Sequence, residues 1–284
     1  MNFGGLASEH NQYDNSLFVV IPVPYDLTAS YQGGARRGPA AILEASANME
    51  LYDEELGKET YLCGIHTLSP IEPIASGPAG MNEAVRQKVA QVIEAGKIPV
   101  VLGGDHSISL RAVQAVSQHH DISVLHLDAH ADLRESYQGT PFSHACIGRR
   151  ISEFLPLVQV GIRSMSVEEA RFLKSSPVLS ISADSFKREK PIQKITANLK
   201  KDIYVTLDLD VFDPSIIPST GTPEPGGLLW RDVLDIIGEV SRNCNIRGFD
   251  VVELSPIPGI VAPDFLASKL IYRMMGYLTE AKKI

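Results

Sequence analysis

Short apolar, β-branched runs recur along the chain, and between them apolar residues return every three or four positions. The runs predict strands at Ser16–Pro22, Ile98–Gly103, Ile122–Asp128, Val158–Ile162, Val178–Ser182, Asp202–Asp208 and Arg247–Val252. The intervening stretches predict helices, among them Met81–Ala95, Ser107–Ser117, an amphipathic Trp230–Ser241 and a closing Pro263–Ala281. Strands that alternate with helices imply βα crossovers, hence an α/β fold whose mostly parallel sheet is covered on both faces. The Gly- and Pro-rich pieces Gly33–Pro39 and Pro218–Gly227 read as ordered loops. No linker, low-complexity stretch or internal repeat divides the sequence. One domain over residues 1–284 is therefore expected, with residues 1–15 loosely held.

The predicted strands turn acidic where they end. Asp128, His130 and Asp132 stand at i, i+2 and i+4 in VLHLDAHADL, Asp208 and Asp210 stand two apart in IYVTLDLDVFDP, and His106 follows the apolar run IPVVLGGD. In parallel sheets, ligands collect outside the carboxyl ends of the strands. An even spacing along extended backbone keeps side chains on one side, so three ligands from one segment can face two from another. Four carboxylates bring a charge of −4, which two divalent cations would neutralise. Two His with four Asp is an oxygen-rich donor set that favours Mn²⁺, although Ni²⁺, Co²⁺ and Zn²⁺ suit the same groups. A single Asp at a strand end is ordinarily a turn former or a helix cap, and Asp105 and Asp213 read that way. His10, His66, His119 and His120 read as solvated surface groups. Two acidic runs on separate strands have no such ordinary explanation, and they point to a binuclear metal site and a hydrolase.

Composition removes several alternatives. The formal charge is −8, and Lys and Arg form no stripe, which argues against a nucleic-acid partner. Cys63, Cys146 and Cys244 are far apart and lack CxxC spacing, as suits a reducing cytosol. No run reaches membrane-spanning length and the N-terminus lacks a signal pattern, so a cytoplasmic chain with no membrane partner is expected. Gly103–Gly104 follows a strand, but neither GxGxxG nor GxxxxGK[ST] is present, and the small residues read as a sharp turn that brings His106 in.

GGDHS (Gly103–Ser107), DAHAD (Asp128–Asp132) and DLDVFDP (Asp208–Pro214) resemble the signature segments of the ureohydrolases, the arginase and agmatinase family. GTPEPGGL (Gly221–Leu228), FDVVELSP (Phe249–Pro256) and the early loop TASYQGGARRGPAAI (Thr28–Ile42) resemble further family segments in the same order, so the likeness runs from about Val19 to Met275. It implies the three-layer α/β/α fold shared by arginases and deacetylases. It also implies two Mn²⁺ held by His106, Asp128, His130, Asp132, Asp208 and Asp210, with Asp128 and Asp210 bridging. No ligand position is substituted.

A guanidinium is a delocalised, poor electrophile, and it needs a strong nucleophile, a fixed orientation and a proton for the departing amine. Water shared by two metals has a lowered pKa and supplies hydroxide. Glu253, after FDVV, matches the family's substrate carboxylate and would pair with the guanidinium. His144, in PFSHA, matches the family's proton-shuttle histidine. Asp210 would also hold the tetrahedral intermediate. The loop Leu133–Ala145 lacks the Asn/Thr/Ser-rich pattern with which arginases grip an α-carboxylate, and HLDAHAD is closer to the agmatinase form. The leading substrate is thus agmatine, a small cationic guanidino compound that gives urea and putrescine, a step of polyamine synthesis. N1-aminopropylagmatine and guanidinobutyrate stay open, the latter with Arg134 as its candidate cation. A zinc-dependent deacetylase-like amidohydrolase and a non-enzymatic regulator are the readings from other classes. The resemblance implies a homotrimer or homohexamer.

Overall fold

A computed structural model describes residues Met1–Ala281. In chain order the elements are β1 (Phe18–Val23), α1 (Gly38–Ser46), β2 (Tyr52–Asp53), β3 (Lys58–Glu59), β4 (Ile65–Thr67), α2 (Pro78–Glu94), β5 (Ile98–Gly103), α3 (Ser109–Ser117), β6 (Ile122–Leu127) and α4 (Ile147–Ser152). There follow β7 (Leu157–Ile162), α5 (Val167–Ser175), β8 (Leu179–Ser182), α6 (Ala183–Glu189), α7 (Ile192–Ala197), β9 (Asp202–Asp208), α8 (Trp230–Asn243), β10 (Asn245–Val252) and α9 (Ala262–Ala281). Eight strands form one parallel sheet in the order β4-β1-β5-β10-β9-β6-β7-β8, and β2 and β3 form a separate antiparallel hairpin.

Alternation along β1 shows how the two faces are built. Phe18 and Val20 point into a core shared with α1, α8 and α9, whereas Val19, Ile21 and Val23 point into a second core shared with α2 and α3. The central strands are buried on both faces, which is why their sequences read as continuous apolar runs. The chain passes from β5 across two strand positions to β6 and returns through β9 and β10. The carboxyl ends of β5, β10, β9 and β6 therefore lie side by side where the winding reverses, and that is where a ligand crevice opens. Among the described residues, no helix is long and apolar enough to cross a membrane.

The expected elements form, with shifts of a few residues at their ends. Helix α1 begins at Gly38, inside the segment expected as a loop, because Pro39 occupies the first turn, where its missing N–H costs nothing. Strand β4, the β2–β3 hairpin and the short helices α4, α6 and α7 are too brief to leave a periodic signature. The N-terminal segment was expected to be loosely held, yet it is packed. Phe3 is fully buried, its N–H donates to Thr67 Oγ1 at 2.9 Å, and the N–H of Gly4 donates to Ser46 Oγ at 2.9 Å. His66, expected as a solvated group, helps to hold it, with Nδ1 2.8 Å from Asn11 O and its ring edge-on to Tyr13.

A buried cation ties the last helix to the hairpin. Arg273 on α9 is 2% exposed, and its guanidinium reaches Asp53 Oδ2 at 2.5 Å, Glu55 Oε2 at 2.7 Å and Glu54 Oε1 at 3.0 Å. Asp53 is wholly buried, so removal of its partner leaves an uncompensated charge. Arg273→Leu should lower the unfolding free energy by about 3–5 kcal/mol in urea titrations, and Arg273→Leu/Asp53→Leu should recover much of it. A single-variant loss below about 1 kcal/mol would show that the ion pair does not hold these elements together.

Candidate metal centre

Each acidic strand end is turned by local hydrogen bonds. A side chain at Gly104 would meet the carbonyl oxygen of Tyr25 at 1.7 Å, so only glycine lets β5 leave the sheet there. Asp105 then caps the next turn as expected, with Oδ1 accepting from the N–H of Ser107 at 3.1 Å. Its other oxygen accepts from the N–H and the hydroxyl of Thr28 at 2.8 and 2.9 Å. Asp208 ends β9 and accepts from the N–H of Asp210 at 2.8 Å, which closes a single 3-10 turn and brings both carboxylates to the end of the strand. Asp213 is a turn residue, as expected, and accepts from the N–H groups of Ser215, Gly226 and Gly227.

The extended-strand argument does not place Asp128, His130 and Asp132. Strand β6 stops at Leu127, and the three residues lie in the segment after it. Asp128 Oδ1 accepts from the N–H of His130 at 2.5 Å, and Asp132 has a left-handed φ of 52°. Glu253, just past β10, is also left-handed, at 66°. A non-glycine residue held there is strained, and such strain concentrates at functional sites. Glu253 is fixed at both ends: its N–H donates to Gly104 O at 2.9 Å, and Oε1 accepts from the N–H of His106 at 2.7 Å.

All six expected ligands come together, in two adjoining groups. Around His106 Nδ1 stand Asp128 Oδ2 at 3.1 Å, Asp208 Oδ2 at 3.3 Å and Asp132 Oδ2 at 3.5 Å. Around His130 Nδ1 stand Asp210 Oδ2 at 2.8 Å and Asp128 Oδ1 at 3.6 Å. Asp128 thus faces both histidines. Asp208, rather than Asp210, reaches the His106 side, while Asp210 is held beside His130 by accepting from the N–H of Ala129 at 3.0 Å.

The electrostatics call for cations. Burial and the charge of Asp128 push Asp132 well above the carboxylate range, and burial with Asp210 and Asp128 does the same to Asp208. Burial opposes a charge on His106 and His130, yet the surrounding carboxylates hold both protonated far above the usual imidazole range. Protons therefore take the place of a missing positive charge. The donor set fits divalent metal, and the geometry agrees: His106 Nδ1 is buried with no hydrogen-bond partner of its own.

Glu253 and His144 line the same cavity as His130, Asp132, Asp208 and Asp210. Burial, then the charge of Asp105, pushes Glu253 up to about 8. Burial holds His144 below its usual value. His144 Nδ1 lies 3.1 Å from Thr28 Oγ1, and its backbone N–H donates to the same oxygen at 3.1 Å. Sequence reasoning passed over Thr28 in its catalytic setting and His126 altogether. His126 Nε2 sits 2.7 Å from Asp128 Oδ2. A polar residue two places before the acid, inside an apolar run, was the available signal. Beyond this inner cavity opens a chamber of about 250 Å³ that shares Ser30, His130, Asp132, His144 and Thr222 with it and adds Arg134, Tyr137, Ser166 and Glu169.

The family model described as the arginase family matches residues 16–276. An N(1)-aminopropylagmatine ureohydrolase of Thermus thermophilus is 42% identical over 93% of this chain and 91% of its own. An agmatinase of Bacillus anthracis is 34% identical over 87% of each. The crystal structure of an agmatine ureohydrolase of Thermoplasma volcanium superposes with a TM-score of 0.91 at 32% identity, covering 100% of this chain and 97% of that one.

Metal binding should release protons. In the metal-free protein burial and neighbouring carboxylates raise the pKa values of His106, His130, Asp132 and Asp208, which favours their protonated forms, and a bound cation displaces those protons. Calorimetric titration with Mn²⁺ should give a heat that scales with the buffer's ionisation enthalpy, and affinity should climb with pH. Buffer-independent heat would refute this. Asp128→Asn, which removes the charge facing both histidines, should bind less metal than the native chain by elemental analysis and lose turnover.

Proposed function

The chain belongs to the arginase family, and we propose that this ureohydrolase of the agmatinase type uses two Mn²⁺ to hydrolyse N1-aminopropylagmatine to urea and spermidine, with agmatine accepted at the same site. Family membership displaces the deacetylase-like and non-enzymatic readings. When bound, the two cations supply the nucleophile by lowering the pKa of water. His106, Asp128, His130, Asp132, Asp208 and Asp210 would hold them.

The chain's own residues do the rest. Glu253 offers a carboxylate whose backbone and one oxygen are already fixed, so pairing with a planar guanidinium sets the orientation of its central carbon. The cation's charge restores Glu253 to its ionised form. His144 handles the leaving amine's proton. The single hydroxyl proton of Thr28 goes to Asp105, so its oxygen can only accept from His144 Nδ1. That fixes the ring with hydrogen on Nδ1 and leaves Nε2 to take up a proton and pass it on.

The chamber outside the guanidinium site carries the choice of substrate. Hydroxyls of Ser30, Tyr137, Ser166 and Thr222 line it, and Glu169 adds a negative charge while accepting from the N–H groups of Leu133 and Ser166 at 2.9 and 2.6 Å. An amine-bearing extension can stay hydrated and hydrogen-bonded there. Support also comes from the relative of that name, which aligns along nearly the whole chain. Guanidinobutyrate keeps one observation in its favour. Arg134 lines the chamber, although it is stacked over the Tyr137 ring at 5.0 Å and lies 4.0 Å from Glu169. The homotrimer or homohexamer implied by the resemblance belongs to the same reading and is tested by sedimentation.

Urea release with Mn²⁺ should give the highest kcat/KM on aminopropylagmatine, then agmatine, then guanidinobutyrate. Arginine should fall at least about 100-fold below agmatine, because its α-carboxylate meets no partner built for it. Equal efficiency on arginine would sink the substrate assignment. His144→Ala should retain both metals and lose about 100- to 10,000-fold in kcat, the range of a proton-transfer group; loss of the metals would make His144 a ligand instead.

A further inference from the structure

Four polar side chains stand in a line across the middle of the sheet. Backbone register pairs Gln159 on β7 with His126 on β6, His126 with Thr206 on β9, and Thr206 with Asp250 on β10. All four are fully buried, and in each strand apolar residues stand on both sides of them. An unpaired polar group in such a place costs a few kcal/mol, on the order of 1–3 in mutational data, so the destination of each hydrogen bond is informative.

At one end, Gln159 Nε2 lies 2.6 Å from the carbonyl oxygen of Ala131 and 3.0 Å from His126 Nδ1. A carbonyl can only accept, so the Gln159 atom facing it is the amide nitrogen, which must also donate to Nδ1. The neutral His126 ring consequently carries its hydrogen on Nε2, where it points at Asp128 Oδ2, 2.7 Å away. At the other end, Asp250 accepts from the hydroxyl of Tyr204 at 2.9 Å and from that of Thr206 at 2.6 Å. Thr206 has then spent its one proton, and its oxygen accepts from His106 Nε2 at 2.8 Å. The neutral His106 ring that a metal ligand must be then carries its lone pair on Nδ1, the atom ringed by Asp128, Asp132 and Asp208. The two imidazoles also meet edge to face at 5.0 Å.

We propose that this cross-strand row is a positioning device which fixes the tautomer of His106 and the orientation of Asp128, and so sets the affinity of the metal position on the His106 side. The proposal rests on the two-metal reading of the site. It makes His126 a positioning residue rather than a ligand, although its Nε2 lies within reach of the same donor group. It also makes the two positions unequal. Both ends of the row converge on the His106 side, through His106 itself and through Asp128 Oδ2, whereas Asp128 Oδ1, His130 and Asp210 are held by contacts outside the row. Hydrogen-bonded partners behind metal ligands commonly contribute 10- to 100-fold in affinity.

The test is a Mn²⁺ titration of the full chain against a competing chelator, with free Mn²⁺ read by electron paramagnetic resonance. Two ions should bind to the native chain. Thr206→Val and His126→Phe, which keep shape and lose the hydrogen bond, should each weaken one of the two by about 10- to 100-fold and spare the other. Thr206→Ser, which restores the hydroxyl, should return the native profile, a rescue that a packing role would not require. Gln159→Leu touches the metals only through His126 and should show the same one-site loss if His126→Phe fails to fold. Unchanged affinities, or equal loss at both positions in a folded variant, would overturn the proposal. A native chain that binds fewer than two ions would instead refute the two-metal reading.

Discussion

Carboxylates gathered out of water repel one another, and the centre of this molecule is arranged around that repulsion. Asp128, Asp132, Asp208, Asp210 and Glu253 converge where four adjacent strands end. No arrangement of neutral side chains could make that tolerable. Four backbone donors are turned to the carboxylates: the N–H groups of His106, Ala129, His130 and Asp210 each point at one of these acids. Hydrogen bonds to the charged form lessen the cost of burial, but they leave Asp132 and Asp208 strongly shifted. Positive charge must enter, as protons on the histidines or as metal. The strained backbones of Asp132 and Glu253 belong to the same account, since two acids turned out of the ordinary strand path are held only because the surrounding structure determines them.

The cluster of acids and histidines was legible in the sequence because an acid inside an apolar run is conspicuous, and the parallel order of the strands said that their carboxyl ends would meet. The route to each position was less legible. Alternation along a strand would set Asp128, His130 and Asp132 on one side, yet the strand stops before them and a tight turn places them. Asp208 faces His106 and Asp210 faces His130 because a 3-10 turn, which no periodicity announces, decides where each one points.

Other features were hidden by distance along the chain. Thr28 and Asp105 are 77 positions apart, and only the folded chain shows that one sets the other's hydrogen bonds and, through them, those of His144. His126 looks like one more core position of β6 until β7 and β9 are laid beside it. Arg273 likewise needs three acids brought from more than 200 positions away before its burial makes sense. The packed start of the chain was concealed because Phe3 and Leu6 are too few to form a pattern.

The line of polar residues that supports the centre is built into paired strands, whereas Ser30, Arg134, Tyr137, Ser166 and Thr222 of the outer chamber all stand in connecting segments. The support behind the metal centre and, Glu169 on α5 apart, the polar lining of the outer chamber are thus carried by parts of the chain that tolerate change very differently. A strand position cannot shift by one residue without turning its side chain to the other face, whereas a connecting segment accepts insertions and exchanges. A lineage can therefore replace one guanidino substrate with another by editing loops, while the hydrolytic centre is inherited intact.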